Sequence, residues 1–520
     1  MLLTKKNRQL ISFSLIIAAV IVFISLKILG STTMKFENGL KVAFPYNKFA
    51  KSYDPAHIYF APEYIFLENV FSPLLEMDST GTLQAGVANR FEWIGNEAHL
   101  TIRDDIRTVD GYKITAKDAA VSIRRLLVMA GNTHGDIQRL LCGKNKLKHI
   151  NDDCPGIAVN GNTLILKPGK KMLFLLPMLT AIDFAVIPIP SIDKKSLHIT
   201  DYRNTSGPYY VESEEEGGRI ALKANTNHYN YREKMPQKIE LIPVDNANLM
   251  DSINKFKAGS VDLLTTIDHS AAKDVINYQK SDSDSVLHRT VKIRTLLLQF
   301  TDKGRKRLSE QERFSLGKKI KNIFIERYGN EEGYEVTNQF FPVFGEGGLA
   351  PDQLLAIDQK IANSASSSIG KGFKLRLTIV SDKHGIKEAM LKHLPGITID
   401  EGALPNFSGK LSEKDMPDFV VVGTDTGFLE DVGLLTYSIS SGNFGLNKER
   451  ASKWLDEYMN TPEKADRINK VRDLHFQALS EPVIIPLMRC PYVAMVRKPW
   501  RLDLPQYYAN NPFWSIQWNN

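Results

Sequence analysis

The segment 238–264 constrains the fold more than any other part of the sequence. Residues 238–244 predict a strand. Residues 246–258 place Leu249, Met250, Ile253 and Phe256 on one helical face, Gly259 supplies the stop, and Val261-Asp-Leu-Leu264 predicts the next strand. Strand, helix, strand in that order implies an α/β domain. A second α/β unit follows, with strands over 374–381, 397–400 and 418–422 and a helix over 387–394. A chain of 520 residues, 43% hydrophobic and 24% charged, is globular and has length for about two to four domains. The same balance excludes a disordered, collagen-like or coiled-coil protein, and no internal repeat appears.

Ahead of these units the chain reads as short strands and turns. A strand is predicted over 40–44 and a helix over 62–69. Strands over 91–94 and 99–102 flank Gly95-Asn96, and Leu100 and Ile102 alternate with polar residues as in a half-buried strand. Thr115 and Asp118 form a T-x-x-D capping box for a helix running to about Met129. Residues 185–189 read as a short apolar strand, and 209–211 pair with 219–222 across Gly217-Gly218. Further on, 291–321 hold a strand, a basic turn and a helix, and 345–369 include a loop. Asn447 caps a helix to about Met459, and Thr461-Pro462 opens another whose buried stripe is Ile468, Val471, His475, Ala478 and Leu479. Residues 483–488 return as an apolar strand. The coarse architecture is two α/β lobes with a β-rich insertion.

The net charge is +7, but residues 1–30 hold Lys5, Lys6, Arg8 and Lys27 and no acid, so the remaining 490 carry +3. That balance gives no footprint for nucleic acid. Lys5, Lys6 and Arg8 precede an uncharged apolar run of 18 residues, 9–26, the pattern of an exported protein. Both a cleaved signal and a signal anchor fit: small residues follow at Gly30 to Thr33, and the run is near the lower limit for a spanning helix. Either way, everything after Lys27 faces outward. Outside the reducing cytoplasm, Cys142 and Cys154 in their polar stretch are expected to form a disulfide. Cys490 reads as a buried small hydrophobe.

The sequence lacks a nucleophile elbow, a P-loop, an H-E-x-x-H and a dinucleotide fingerprint. His384 and His393 are too far out of phase on a helix to share a metal. Asp104-Asp105 beside Arg103 and Arg107 suggests surface pairing rather than acid–base work. No enzyme activity, metal or cofactor is expected.

Several segments in order resemble the bacterial extracellular solute-binding proteins of family 5, the oligopeptide/dipeptide receptors of ABC importers. They are Tyr53-Asp-Pro-Ala56, Phe71-Ser-Pro-Leu-Leu75, Leu100-Thr-Ile-Arg103 with Asp110-Gly111 and Ile114-Thr-Ala-Lys-Asp118, Ser206-Gly-Pro-Tyr209 with Asn227-His-Tyr229, Phe256-Lys-Ala-Gly-Ser-Val-Asp262, and Ile484-Ile-Pro-Leu487. The resemblance implies the large three-domain form of a type II-like, periplasmic-binding-protein-like clamp, closing on a ligand like a hinge. Residues 1–33 would be the signal or anchor segment. Domain I would comprise 34–52, 183–285 and 482–520, the inserted domain II 53–182, and domain III 286–481. A monomer in the periplasm or cell envelope is implied, working with ABC importer permease subunits and attached to the membrane, if at all, through 9–26.

In peptide-binding members the ligand lies extended between the lobes, held by backbone pairing and by a carboxylate on its α-ammonium. The matching positions here are Tyr59, Phe60 and Ala61 for pairing, and Asp425 with Thr424 for the ammonium. Thr133 and His134 align with a cleft-facing lid segment. The pattern departs at Val422, where peptide-binding members carry Trp. A tethered sensor or scaffold with a degenerate cleft, a receptor for a non-peptide solute, and an envelope hydrolase on the same fold are the rival readings. The aromatic C-terminus, with Trp500, Trp514 and Trp518, is expected to pack back against domain I.

Overall fold

The computed structural model describes residues 39–45, 48–58, 61–78, 82–130, 135–143, 147–169, 172, 175–244, 249–265, 272–329, 332–342, 345–364, 370–378, 385–401, 415–425, 438–439, 442, 444–504 and 512–519. Two large sheets dominate. The first has seven strands in the spatial order Ser285–Arg289, Val493–Arg497, Leu263–Thr265, Gly39–Phe44, Lys238–Pro243, Ile220–Ala224, Tyr209–Glu214. Gly39–Phe44 runs parallel to both Lys238–Pro243 and Leu263–Thr265, as the strand–helix–strand pattern requires, and the helix between them is Leu249–Lys257. The second sheet has six strands in the order Glu335–Val336, Ile484–Cys490, Arg294–Phe300, Phe419–Asp425, Phe373–Leu377, Ile397–Glu401. Its strand Arg294–Phe300 is buried at every residue, which explains the near-continuous apolar run Leu296-Leu-Leu298.

The insertion is a four-stranded antiparallel sheet, in the order Ala88–Ile94, Glu97–Ile102, Thr163–Leu166, Ile157–Asn160. Helix Ala116–Met129 packs across its last two strands. The capping box holds: Thr115 N and Thr115 Oγ1 both donate to Asp118 Oδ2, at 2.9 and 2.8 Å. Asp118 is wholly buried and its other oxygen accepts from Tyr112 OH at 2.8 Å and Ile189 N at 2.9 Å, so one cap side chain also ties the insert to the first lobe. Asp105 pairs with Arg103, as expected, but Asp104 pairs with Lys113 rather than an arginine.

Several expectations need correction. Residues 185–189 form no strand, only a single bridge from Ala185 to Pro73 between two 3-10 turns. Pro188 and Pro190 remove the donors a ladder needs, and Val186 N turns to Ser72 O instead. The loop expected within 345–369 is present at 345–350, and the same stretch also holds an unforeseen helix, Pro351–Ala362, opened by proline and anchored by buried Ile357. Met250 is 38% exposed and leaves the buried face to Ile253 and Phe256. Strand Ile484–Cys490, given above to the first lobe, pairs with Arg294–Phe300 in the second sheet, so the chain returns to the first sheet only beyond Pro491-Tyr492.

The C-terminal aromatics pack on the first lobe. Phe513 is buried and donates its N–H to Asn69 Oδ1 at 2.7 Å, and Trp500 meets Trp518 edge-on at 4.8 Å. Among the described residues no helix is long and apolar enough to cross a membrane, and the segment 9–26 lies outside them.

Candidate functional site at the lobe crossover

Two chain segments connect the large sheets. One leads from Ser285–Arg289 to Arg294–Phe300, the other from Ile484–Cys490 to Val493–Arg497. They are laced together: Thr290 N donates to Tyr492 O at 3.0 Å, and Tyr492 N donates to Thr290 Oγ1 at 2.8 Å. Strand Phe419–Asp425 runs antiparallel to Arg294–Phe300 with Thr424 opposite Thr295 and Asp425 opposite Arg294. Thr424 and Asp425 therefore end their strand beside the crossover, where the lobes meet. Val422 sits opposite Leu297 and packs, half-buried, against an apolar cluster.

On that end of the second sheet, Arg489 organises a wall. It is 2% exposed and lies opposite Thr295. Its Nη2 donates to the carbonyls of Gln339, Phe340 and Phe341 at 2.9, 3.4 and 3.0 Å. Thr295 Oγ1 donates to Phe340 O at 3.1 Å as well. Burial pulls the guanidinium down to about 10, against the pull of Glu335, whose carboxylate is 3.7 Å away. Phe340 N donates to His475 Nε2 at 2.9 Å, which leaves Nδ1 to donate to Gly347 O at 2.9 Å. This imidazole is buried and held down to about 3, so it is neutral. Lys321 donates to Thr337 O, Asn338 Oδ1 and Pro486 O, and burial lowers it to about 7. Residues 337–341 are thus fixed by three buried basic side chains.

The first-lobe side is built around Asp54 of the Tyr53-Asp-Pro motif. Asp54 accepts from Ala56 N at 2.9 Å and from both terminal nitrogens of Arg125, whose Nε donates to Leu197 O at 2.6 Å. Arg125 is 1% exposed. The motif is a structural anchor joining the insert's helix to the segment that leads toward 59–61. Tyr59 and Phe60 lie outside the described residues, as do Thr133 and His134. Ala61 opens the helix Ala61–Val70, so its backbone is helical rather than the extended strand expected for ligand pairing. Pro62, preset for a helix's first turn, explains the difference.

Two motifs of the resemblance meet at the insert's base. Ser72 Oγ and His228 Nε2 are 3.0 Å apart, and Asn230 N donates to His228 Nδ1 at 3.1 Å. With Nδ1 accepting, Nε2 carries the proton and donates to the serine. The pair is buried and polarised the wrong way for a base activating Ser72. Tyr229 OH donates to Glu76 at 2.5 Å, and burial raises that carboxyl. Sequence reasoning reached His475 only as core and His228 only inside the Asn227-His-Tyr229 motif, and did not single out Arg489, Lys321 or Arg125. Their signal is spatial: each bonds to residues more than a dozen positions away.

Residues 84–312 match the family model for bacterial extracellular solute-binding proteins, family 5 middle. Over those residues, less than half of the chain, the sequence is similar to this family. The chain is also similar to the periplasmic murein peptide-binding protein MppA of Escherichia coli (strain K12), 25% identical over 224 residues. That alignment covers 41% of this chain and 41% of the relative's own length. Solved structures agree on the fold over nearly the whole length. The E. coli murein tripeptide binding protein MppA is 17% identical with a TM-score of 0.68, covering 92% of this chain and 98% of its own. Haemophilus influenzae OppA in complex with RPPGFSPFR is 14% identical, TM-score 0.68, covering 93% and 99%. NikA of Brucella suis in complex with Fe(III)-EDTA is 15% identical, TM-score 0.70, covering 92% and 100%. The two-lobed α/β clamp with a β-rich insert described above is therefore the fold of these structures.

Proposed function

We propose that this chain is an extracytoplasmic receptor that captures a small solute, an oligopeptide or dipeptide, between its lobes and passes it unaltered to the permease subunits of an ABC importer. The observation carrying this reading is the placement of Thr424 and Asp425 at the strand end beside the two crossover segments. A carboxylate there would meet a peptide's α-ammonium where the lobes hinge, and the resemblance adds Tyr59, Phe60, Thr133 and His134 as further ligand contacts. The match to the family model and the name of the E. coli relative support a peptide. The division into domains 34–52 with 183–285 and the C-terminal return, 53–182, and the second lobe belongs to the same reading, as do a monomeric state and delivery outside the cytoplasm. Residues 9–26 would serve as export signal or tether.

A second reading, a receptor for a non-peptide solute, is favoured by two features. Ala61 is helical rather than extended, and Val422 is packed in place of a ligand-facing Trp. One experiment separates them. The purified chain is screened by thermal unfolding against di- and oligopeptides, murein peptides and metal–chelate complexes. A true ligand at 100 times its dissociation constant adds about 2.7 kcal/mol. An upward shift with peptides that disappears in Asp425→Ala supports the first reading, and a shift only with other solutes supports the second.

A further inference from the structure

Helix Gly135–Cys142 of the insert touches the second lobe. Arg139 Nη2 donates to Ser452 Oγ of helix Lys448–Met459 at 3.4 Å, although the two residues are 313 positions apart. Both helices also feed the same apolar core. Ile137, Leu141 and Cys142 from the first helix and Ala451, Leu455 and Tyr458 from the second belong to one continuous buried cluster. At its C-terminal end the insert helix is strapped down. A disulfide joins Cys142 to Cys154, and Gly156 N donates to Leu141 O at 2.8 Å. A Cβ on Gly156 would stand 2.3 Å from that carbonyl oxygen, so the two backbones meet as closely as glycine allows. Arg124 holds the intervening loop by donating to the carbonyls of Ile150, Asp152 and Cys154, at 3.4, 2.8 and 3.3 Å.

We propose that helix Gly135–Cys142 is a strut that holds the insert against the second lobe, with Arg139 and Ser452 as its positioning pair and the Cys142–Cys154 bridge as its fastening, so that the redox state of the bridge sets how firmly the two parts move together. The bridge fixes the end of an eight-residue helix that is too short to hold its shape alone. An external dithiol opens it by exchange. Its thiolate attacks one sulfur, the Cys142–Cys154 bond breaks, and two thiols form while the dithiol closes into its own disulfide; two electrons and two protons pass to the protein. The helix end is then held only by non-covalent contacts, and the contact with Lys448–Met459 loosens. The inference concerns mechanical coupling and stands whether the guest is a peptide or another solute.

The test is amide hydrogen exchange on the whole chain, ligand-free, oxidised and in dithiothreitol. Exchange in both Gly135–Cys142 and Lys448–Met459 should rise about tenfold on reduction, while strand Arg294–Phe300 keeps its protection. Arg139→Ala and Ser452→Ala, with the bridge intact, should each raise exchange in Lys448–Met459. Faster exchange confined to 135–157 on reduction overturns the proposal. So does loss of protection in Arg294–Phe300, because the bridge would then be holding the fold and not the strut. So do two substitutions that both leave Lys448–Met459 unchanged.

Discussion

At the scale of single residues, the crossover wall depends on buried basic groups whose charge is stabilised by backbone carbonyls. Replacing Arg489 by Ala strips donors from Gln339, Phe340 and Phe341 and should cost about 3 kcal/mol in urea unfolding. Arg489→Lys should recover only part, because an ammonium lacks the planar fork. The histidines give a pH signature. His228 and His475 are held down to about 3 from 6.5, so the folded state prefers them neutral. Their contribution is fully present above 6.5 and is lost as pH falls from there toward 3, because only the unfolded chain takes up the protons. Each should steepen the acid loss of stability by about 1 kcal/mol per pH unit. Urea midpoints between neutral and acid pH should fall less steeply in His475→Gln, whose amide oxygen can still accept from Phe340 N. Nothing in the spacing of Lys321, Arg489 and His475 announces their convergence, because they meet through tertiary packing alone.

At the scale of elements, what was legible was local chemistry. The Thr115…Asp118 box was readable because cap and acceptor lie three residues apart, and the helix ends at Met129 as expected. Asp118→Ala should cost about 3 kcal/mol, since Thr115 N, Thr115 Oγ1, Tyr112 OH and Ile189 N all lose their acceptor. Asp118→Asn should keep a part of it, as thermal unfolding would show. Elements whose identity depends on distant partners were misread. Residues 185–189 have strand composition but no ladder, whereas the helix Pro351–Ala362 went unread beside a loop that was expected and is present. The disulfide was legible from polarity and export alone, whereas the helix it fastens was not.

At the scale of the molecule, the order of α/β units gave the class of fold, but the crossover registers did not follow from any local pattern. Asp425 could be placed at a strand end from sequence; its position opposite Arg294 beside two connecting segments needed the sheet. The first sheet takes strand Val493–Arg497 between Leu263–Thr265 and Ser285–Arg289, so one of its inner strands follows the whole second sheet in sequence. A chain stopped after Cys490 should leave that sheet open along Leu263–Thr265, and its circular dichroism melt should lose cooperativity. The late strand also sets a clock on maturation. A nascent polypeptide cannot lock this sheet until Val493–Arg497 has been made, long after the strand Leu263–Thr265 beside it. The order of strands along the chain therefore makes the lobe that begins first the last to set.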